Sequence, residues 1–190
     1  MTSRRFWTAA CALLSAVAIG ACGHKTAHPN VADANNNGDY VDAGPVSYQL
    51  QISRTLNQYD SEDSQYVRGL PTGLTPSLSP TQMWFGVFLW ARNQTNQPQV
   101  TSNNFEVVDS SGNVYRPVKL NSTLNPFAWT TQTLPPQQTE PSPGSVAADG
   151  PTQGGLLLFK VSTAVYANRP LTLYILSPSN RRLASISLNL

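Results

Sequence analysis

The chain has 190 residues, only 12% of them charged, and it contains 15 prolines and 12 glycines. Its formal net charge of +2 comes from Arg4 and Arg5, because the other basic residues are matched by the ten acidic ones. After Arg5 the chain is neutral and has no basic run, so it lacks the electrostatic footprint of a nucleic-acid-binding protein. Its length suits one domain with its own core. Frequent turn formers between short apolar runs predict an all-β fold.

The N-terminus combines a basic start with a short apolar stretch. Arg4 and Arg5 precede the uncharged residues 6–19. This stretch is too short to span a bilayer permanently and is typical of a secretory signal peptide. We therefore expect residues 1–21 to be removed on export. The paired arginines leave the twin-arginine route open beside the general one.

Cys22 directly follows the apolar stretch, in the order Ile19-Gly20-Ala21-Cys22. Small residues before such a cysteine resemble the lipobox of bacterial lipoproteins. The resemblance implies cleavage before Cys22, a thioether-linked diacylglycerol on its sulfur, and acylation of the new amino group, for example with palmitate. We then expect a protein anchored by lipid to the cell membrane, on its extracytoplasmic face. The alternative is an ordinary signal peptide in which Cys22 carries nothing.

Residues 22–45 are rich in Asn, Asp and Gly and show no apolar periodicity. Such a segment cannot bury enough apolar surface to fold, so it predicts a flexible tether. The folded domain is expected over residues 46–190. Because Cys11 lies in the signal peptide, this domain has no cysteine with which to form a disulfide, and it must depend on its hydrophobic core.

The longest apolar run outside the leader covers residues 83–93. Successive strand residues point to opposite faces, and both alternate sets are apolar here: Phe85, Val87, Leu89 and Ala91 on one face, and Trp84, Gly86, Phe88 and Trp90 on the other. A strand that is apolar on both faces must lie inside a sheet with both faces covered. We therefore predict a central strand, with one face in a core and the other under a different part of the chain.

Shorter runs flank this strand on either side. Val46, Tyr48, Leu50 and Ile52 alternate with polar residues and predict a half-buried strand that packs on one face. Further strands are expected at residues 105–109, 113–118, 155–162, 171–176 and 183–190. Seven or eight strands with turn signals between them predict an antiparallel β-sandwich of immunoglobulin type.

A proline-rich insertion at residues 121–154 carries Phe127 and Trp129. Leaving such side chains in water would forfeit roughly 1.5–3 kcal/mol each. We expect residues 125–130 to cover the face of Trp84, Phe88 and Trp90, and the gap at Gly86 to admit a ring. Prolines rather than backbone pairing would hold this cover in place.

Three segments together resemble a known family: residues 85–93, ending in Ala91-Arg92-Asn93; residues 105–115, with the turn Asp109-Ser-Ser-Gly112; and Gly155-x-Leu157-x-Phe159-x-Val161. The pattern over residues 46–190 is similar to the telokin-like, immunoglobulin-like domains attached to lipoproteins of Gram-positive and related bacteria, a family of unknown function. The resemblance implies a β-sandwich at the cell surface. It implies no catalytic residues.

The inventory of reactive side chains argues against an enzyme. The only histidines are His24 and His28, and both lie in the predicted tether. A Ser-His-Asp arrangement on the folded domain is therefore excluded, as is a transition-metal site of His and Cys. We expect no catalysis, no metal and no cofactor.

Two functions remain open. The first is a monomeric adaptor that is anchored in the membrane and docks a protein of the envelope. The second is a module that binds cell-wall glycan or a small molecule on an aromatic platform, for which the candidates are Trp84, Phe88, Trp90, Phe127, Trp129 and Tyr115. The alternative for all six is that they are core residues. Their exposure would discriminate, because a platform requires two or three exposed rings in one groove.

Overall fold

The computed structural model describes residues 32–34 and 38–190. The predicted signal peptide, Cys22 and most of the predicted tether lie outside these residues. The strands are β1 (Ala32–Ala34), β2 (Tyr40–Ala43), β3 (Val46–Leu56), β4 (Gln82–Asn93), β5 (Gln99–Val100), β6 (Phe105–Val108), β7 (Val114–Tyr115), β8 (Thr133–Leu134), β9 (Thr139–Glu140), β10 (Gly155–Ser162), β11 (Leu171–Leu176) and β12 (Arg182–Leu188). A four-residue helix, α1 (Val146–Asp149), and two 3-10 turns complete the described elements. None of the helices in this part of the chain could cross a membrane.

The strands form two large facing sheets and a separate two-stranded sheet, β5-β8. The first has the order β1-β12-β11-β6-β7, and the second has the order β10-β4-β3-β2, with β9 pairing beside β10 on β4. Among the described strands all pairs are antiparallel except β1 with β12. Seven of the described strands have four or more residues. The structure therefore confirms the fold class predicted from the sequence, an antiparallel immunoglobulin-like sandwich without disulfides.

The main core fills the space between the two sheets. It includes Tyr48 and Leu50 of β3, Phe105 of β6 and Leu173 of β11, each at most 2% exposed. Two rings join it edge to face, since the Tyr48 and Phe105 centroids are 6.4 Å apart with an interplanar angle of 78°. Edge-to-face packing stabilises the core beyond what the burial of the two side chains contributes.

Strand β4 lies between β3 and β10 in the second sheet. Phe85, Val87 and Leu89 face the main core. Trp84 and Phe88 point to the outer side of the sheet, where they are also fully buried. The prediction of a central strand that is covered on both faces is confirmed.

The outer side of the second sheet carries a second core, which comprises Leu56, Tyr66, Val67, Trp84, Phe88, Phe127, Ala147, Leu156 and Leu158. Residues 57–81 and 117–150 supply the side chains that cover the sheet here. The Tyr66 ring lies edge-on to Phe88 at 5.1 Å and to Phe127 at 4.8 Å. Trp84 Nε1 donates a hydrogen bond to Pro76 O at 2.7 Å, so the one polar atom of this indole is satisfied inside the apolar layer.

A β-bulge in β3 divides its side chains between the two cores. Leu50 pairs with Leu89, but Ile52 pairs with Phe88, which leaves Gln51 as an extra residue. An extra residue changes the phase of the alternation. Ile52 therefore packs on the second core, and the prediction that it shares a face with Leu50 is wrong.

Asn125 ties the two covering segments together. It is fully buried, and its Nδ2 donates to Tyr66 O at 3.0 Å and to Arg68 O at 3.1 Å. Beside it, Asn121 N donates to Gly69 O at 2.8 Å. Gly69 has φ +68, and a Cβ there would lie 2.8 Å from Asn121 O. Only glycine fits this contact without strain.

The cover over the second sheet differs in three ways from the one expected. Phe127 does lie on the face of Trp84 and Phe88, but Trp129 packs against the main core instead. Backbone pairing holds the segment, because Leu156 N donates to Phe127 O at 2.7 Å and Trp129 N donates to Leu156 O at 2.9 Å. The space at Gly86 admits no ring from this segment, since a Cβ there would lie 3.0 Å from both Leu56 Cδ1 and Phe88 Cε2, a ring atom of β4 itself.

The sheet begins before the boundary predicted at Val46. Strand β2 pairs with β3, and Val41 and Ala43 are buried in the main core. Asp42 accepts a hydrogen bond from the Ser47 hydroxyl, and Gly44, with φ +68, makes the tight connection. The tether expected over residues 22–45 is therefore too long at its C-terminal end. The two apolar residues of β2 were too few to show as a pattern among polar neighbours.

Phe127→Ala should cost about 3–5 kcal/mol of unfolding free energy, because it removes a ring from the second core and leaves a cavity. Leu124→Ala is the matched control. Leu124 is 62% exposed in the same segment, so its loss should stay within about 0.5 kcal/mol. Urea unfolding of both variants measures the difference. Equal losses would show that Phe127 does not anchor the cover.

Candidate functional site

A cleft of about 570 Å³ opens between the edges of the two sheets. It lies where β6 begins and β10 begins, and the chain segments 116–122 and 128–131 form its sides. The lining residues are Asn103, Asn104, Phe105, Arg116, Pro117, Val118, Lys119, Leu120, Ser122, Ala128, Trp129, Thr130, Thr131, Leu156 and Leu157. This volume falls in the range of about 300–1,000 Å³ that small-molecule sites occupy.

The floor of the cleft is apolar and fixed. The Trp129 ring meets Phe105 edge to face at 5.7 Å and Tyr48 at 6.1 Å, and Trp129 Nε1 donates to Ser102 O at 2.9 Å. A Cβ at Gly155 would lie 2.7 Å from Trp129 Cε3, so the indole rests directly on the backbone of β10. With its ring contacts and its nitrogen both fixed, Trp129 is preorganised to receive a ligand.

The rim carries two cations. Arg116 and Lys119 lie in the segment after β7, which Val118 N fixes to the edge of β10 by donating to Leu158 O at 2.7 Å. Neither Asp nor Glu is among the residues that line the cleft. The rim therefore has a net positive charge, although the chain after the leader is neutral.

Arg116 is only weakly held by its acidic neighbour. Glu106 Oε1 accepts hydrogen bonds from Arg182 Nε at 3.0 Å and Nη2 at 2.8 Å, while Arg116 Nη2 lies 3.6 Å from the other oxygen. The Arg116 side chain is 62% exposed. Both hydrogen bonds from Arg182 end on Oε1. Arg116 faces Oε2 through one long contact only, and its exposed guanidinium can also bind another anion.

Only part of the predicted platform reaches this cleft. Trp84 and Phe88 are fully buried and Phe127 is 3% exposed, so none of the three can stack on a sugar. Trp90 and Tyr115 are half-buried, outside the cleft lining. Trp129 alone of the six lines the cleft, and Cys22 lies outside the described residues.

Sequence reasoning did not find Arg116 and Lys119. Residues 113–118 were predicted only as a strand, but β7 ends at Tyr115 and the next residues leave the first sheet. Pro117 then bridges to Phe159 of β10. A proline between two basic residues is the signal that marks this departure, because proline limits a segment to sheet edges and turns.

No family model matches the chain, and no curated protein matches it. The chain is similar to the yjhA protein from Bacillus subtilis, with a TM-score of 0.52 and 12% identity over 82% of this chain and 99% of that one. A second solved structure is an uncharacterized β-sandwich protein from Clostridium difficile 630, with a TM-score of 0.43 and 11% identity over 84% of this chain and 97% of that one. At this identity the likeness to the Bacillus subtilis protein extends to the fold alone.

The acidic side chains are held in separate networks. Asp63 pairs with Arg54 at 2.6 Å, Glu106 pairs with Arg182, and Asp109 accepts from Asn113 N at 2.9 Å. Within the described residues no group of three or more His, Cys, Asp or Glu side chains could hold a metal ion. These carboxylates stabilise turns and strands of the sandwich.

Glu140 differs from these acids because it is buried with one carboxylate oxygen unpaired. It lies opposite Ala91 of β4, is 6% exposed, and its Oε2 has no hydrogen-bond partner among the described residues. Burial raises the pKa of Glu140 to about 7, against a smaller opposite effect of a hydrogen bond with Thr130. The folded state therefore holds a proton that the unfolded chain releases near its ordinary pKa of 4.5.

Stability should accordingly fall as pH rises from about 4.5 to about 7 and stay lower above, by up to about 3 kcal/mol from this one group. Glu140→Gln should remove that fall and be the more stable protein at pH 8. Asp39→Asn, at an exposed position, is the control and should leave the pH dependence unchanged. Urea unfolding between pH 5 and 8 tests this, and the same slope in Glu140→Gln as in the parent would contradict it.

Proposed function

We propose that this protein is a lipoprotein of the bacterial envelope, anchored on the extracytoplasmic face of the cell membrane, whose β-sandwich is a non-catalytic binding module. The lipobox pattern at Cys22 supports the anchor. The cleft between the sheet edges supports the binding role, because it joins a fixed aromatic floor to a polar, cationic rim. That cleft is the observation on which the binding proposal rests.

The glycan platform has less support than a ligand held in the cleft. An open stacking platform needs several exposed rings, and three of the six candidate rings are at most 3% exposed. Trp129 instead forms part of the floor of the cleft, with hydroxyl and amide groups around it. Such sites typically surround an apolar floor with a few polar groups that orient the ligand. The adaptor role for an envelope protein stays a prediction.

Cys22→Ser tests the anchor. We expect the parent protein in the membrane fraction and the variant either unprocessed or released, because the sulfur that would carry the lipid is gone. Cys11→Ser is the matched control, since it changes the only other cysteine inside the signal peptide and should leave anchoring intact. Fractionation and metabolic labelling with a palmitate analogue measure both. Normal processing and full membrane retention of Cys22→Ser would refute the proposal that the protein is a lipoprotein.

A further inference from the structure

We infer that the cleft binds a small amphipathic carboxylate, with the apolar body of the ligand against Trp129 and Leu120 and its carboxylate at the rim between Arg116 and Lys119. This inference rests on the binding role proposed above and specifies the ligand for it. Three features of the cleft support it: the charge of the rim, the exposure of Arg116 and the apolar surface around Trp129.

The positive charge of the rim favours a ligand with a negative charge. The lining contains two basic side chains and no acidic one. Neither Arg116 nor Lys119 donates a side-chain hydrogen bond within the described residues. The one ion pair that either of them makes there is the 3.6 Å contact of Arg116 with Glu106. A cation beside an apolar wall in a concave site attracts an anion more strongly than the same cation in open water.

The group of Glu106, Arg182 and Arg116 has one positive charge in excess, and only its carboxylate is buried. Glu106 is 8% exposed and takes two short bonds from Arg182, whose guanidinium also stacks on the Tyr174 ring at 3.8 Å. This arrangement fixes the carboxylate on the side of Arg182. Arg116 then presents a planar donor group suited to a bidentate carboxylate.

The floor selects the rest of the ligand. Of the apolar lining residues, Trp129, Pro117, Val118 and Leu120 are partly exposed, and such a surface favours an aromatic or short aliphatic body. Thr131 is exposed on the opposite side and offers a hydroxyl group to a further polar atom. A volume of about 570 Å³ fits a compact molecule, not a polymer.

Three probes of the same shape test the charge: 2-naphthoate, 2-naphthalenemethanol and 2-naphthylmethylammonium. Each is titrated into the purified, ¹⁵N-labelled full chain, and the indole N–H signal of Trp129 is followed by NMR. The indoles of Trp84 in the second core and of Trp90 on the outer face of β4 serve as internal controls. We expect the carboxylate to shift the Trp129 signal saturably, with an affinity about tenfold above that of the alcohol, and the amine to bind weakest.

Arg116→Gln and Lys119→Gln should each lower the affinity for 2-naphthoate towards that of the alcohol, without changing the affinity for the alcohol itself. Arg169→Gln is the matched control. Arg169 is also an exposed arginine, but it precedes β11 at the end of that strand away from Phe105. Its loss should leave all three affinities unchanged. Because an unfolded variant would lose alcohol binding too, the alcohol separates loss of charge from loss of fold.

Equal affinities for the carboxylate and the alcohol at Trp129, unaffected by Arg116→Gln, would overturn the carboxylate and leave the cleft as a binding site. Saturable binding reported only by Trp84 or Trp90, or no saturable shift at millimolar probe, would overturn both the ligand class and the cleft. Membrane anchoring through Cys22 is measured separately, so neither result bears on it.

Discussion

Burying both faces of β4 is the constraint on which the rest of the structure depends. A two-layer sandwich covers one face of each sheet, yet Trp84 and Phe88 on the outer face of β4 are as fully buried as Phe85 and Leu89 on the inner face. The chain meets this constraint with two irregular segments that build a second core. The bulge at Gln51 serves the same end, since it turns Ile52 and Leu56 outward to complete that layer.

The covering segments also determine where a ligand could bind. One of them crosses from the edge of the first sheet to the edge of β10 through Pro117 and Val118, and returns along β10 through Ala128 and Trp129. Both crossings pair with β10 by backbone hydrogen bonds. They cover the open side of the sandwich at two places and leave a gap between them. The cleft lies between the bridges, and its floor is formed by side chains of both cores.

Large aromatic side chains do not by themselves mark a binding surface in this fold. The ring-rich face of β4 looks like a platform when the strand is considered alone, but Trp84 and Phe88 are buried in the second core. The ring that does reach the cleft, Trp129, is held by Ser102, Phe105 and Gly155. Local alternation predicts which residues are apolar. Exposure depends on what a distant segment places over them.

The sequence by itself determined the class of fold, the positions of the long strands and the double burial of β4, because alternation and turn residues act over a few neighbours. It also marked Cys22 through a local motif. Tertiary structure alone decided the start of the sheet at β2, the face of Ile52 and the separation of Phe127 from Trp129. It also brought Arg116 and Lys119 to the rim of the cleft that Trp129 lines. These features depend on a single extra residue or on contacts between segments far apart in the chain, and neither leaves a periodic signal.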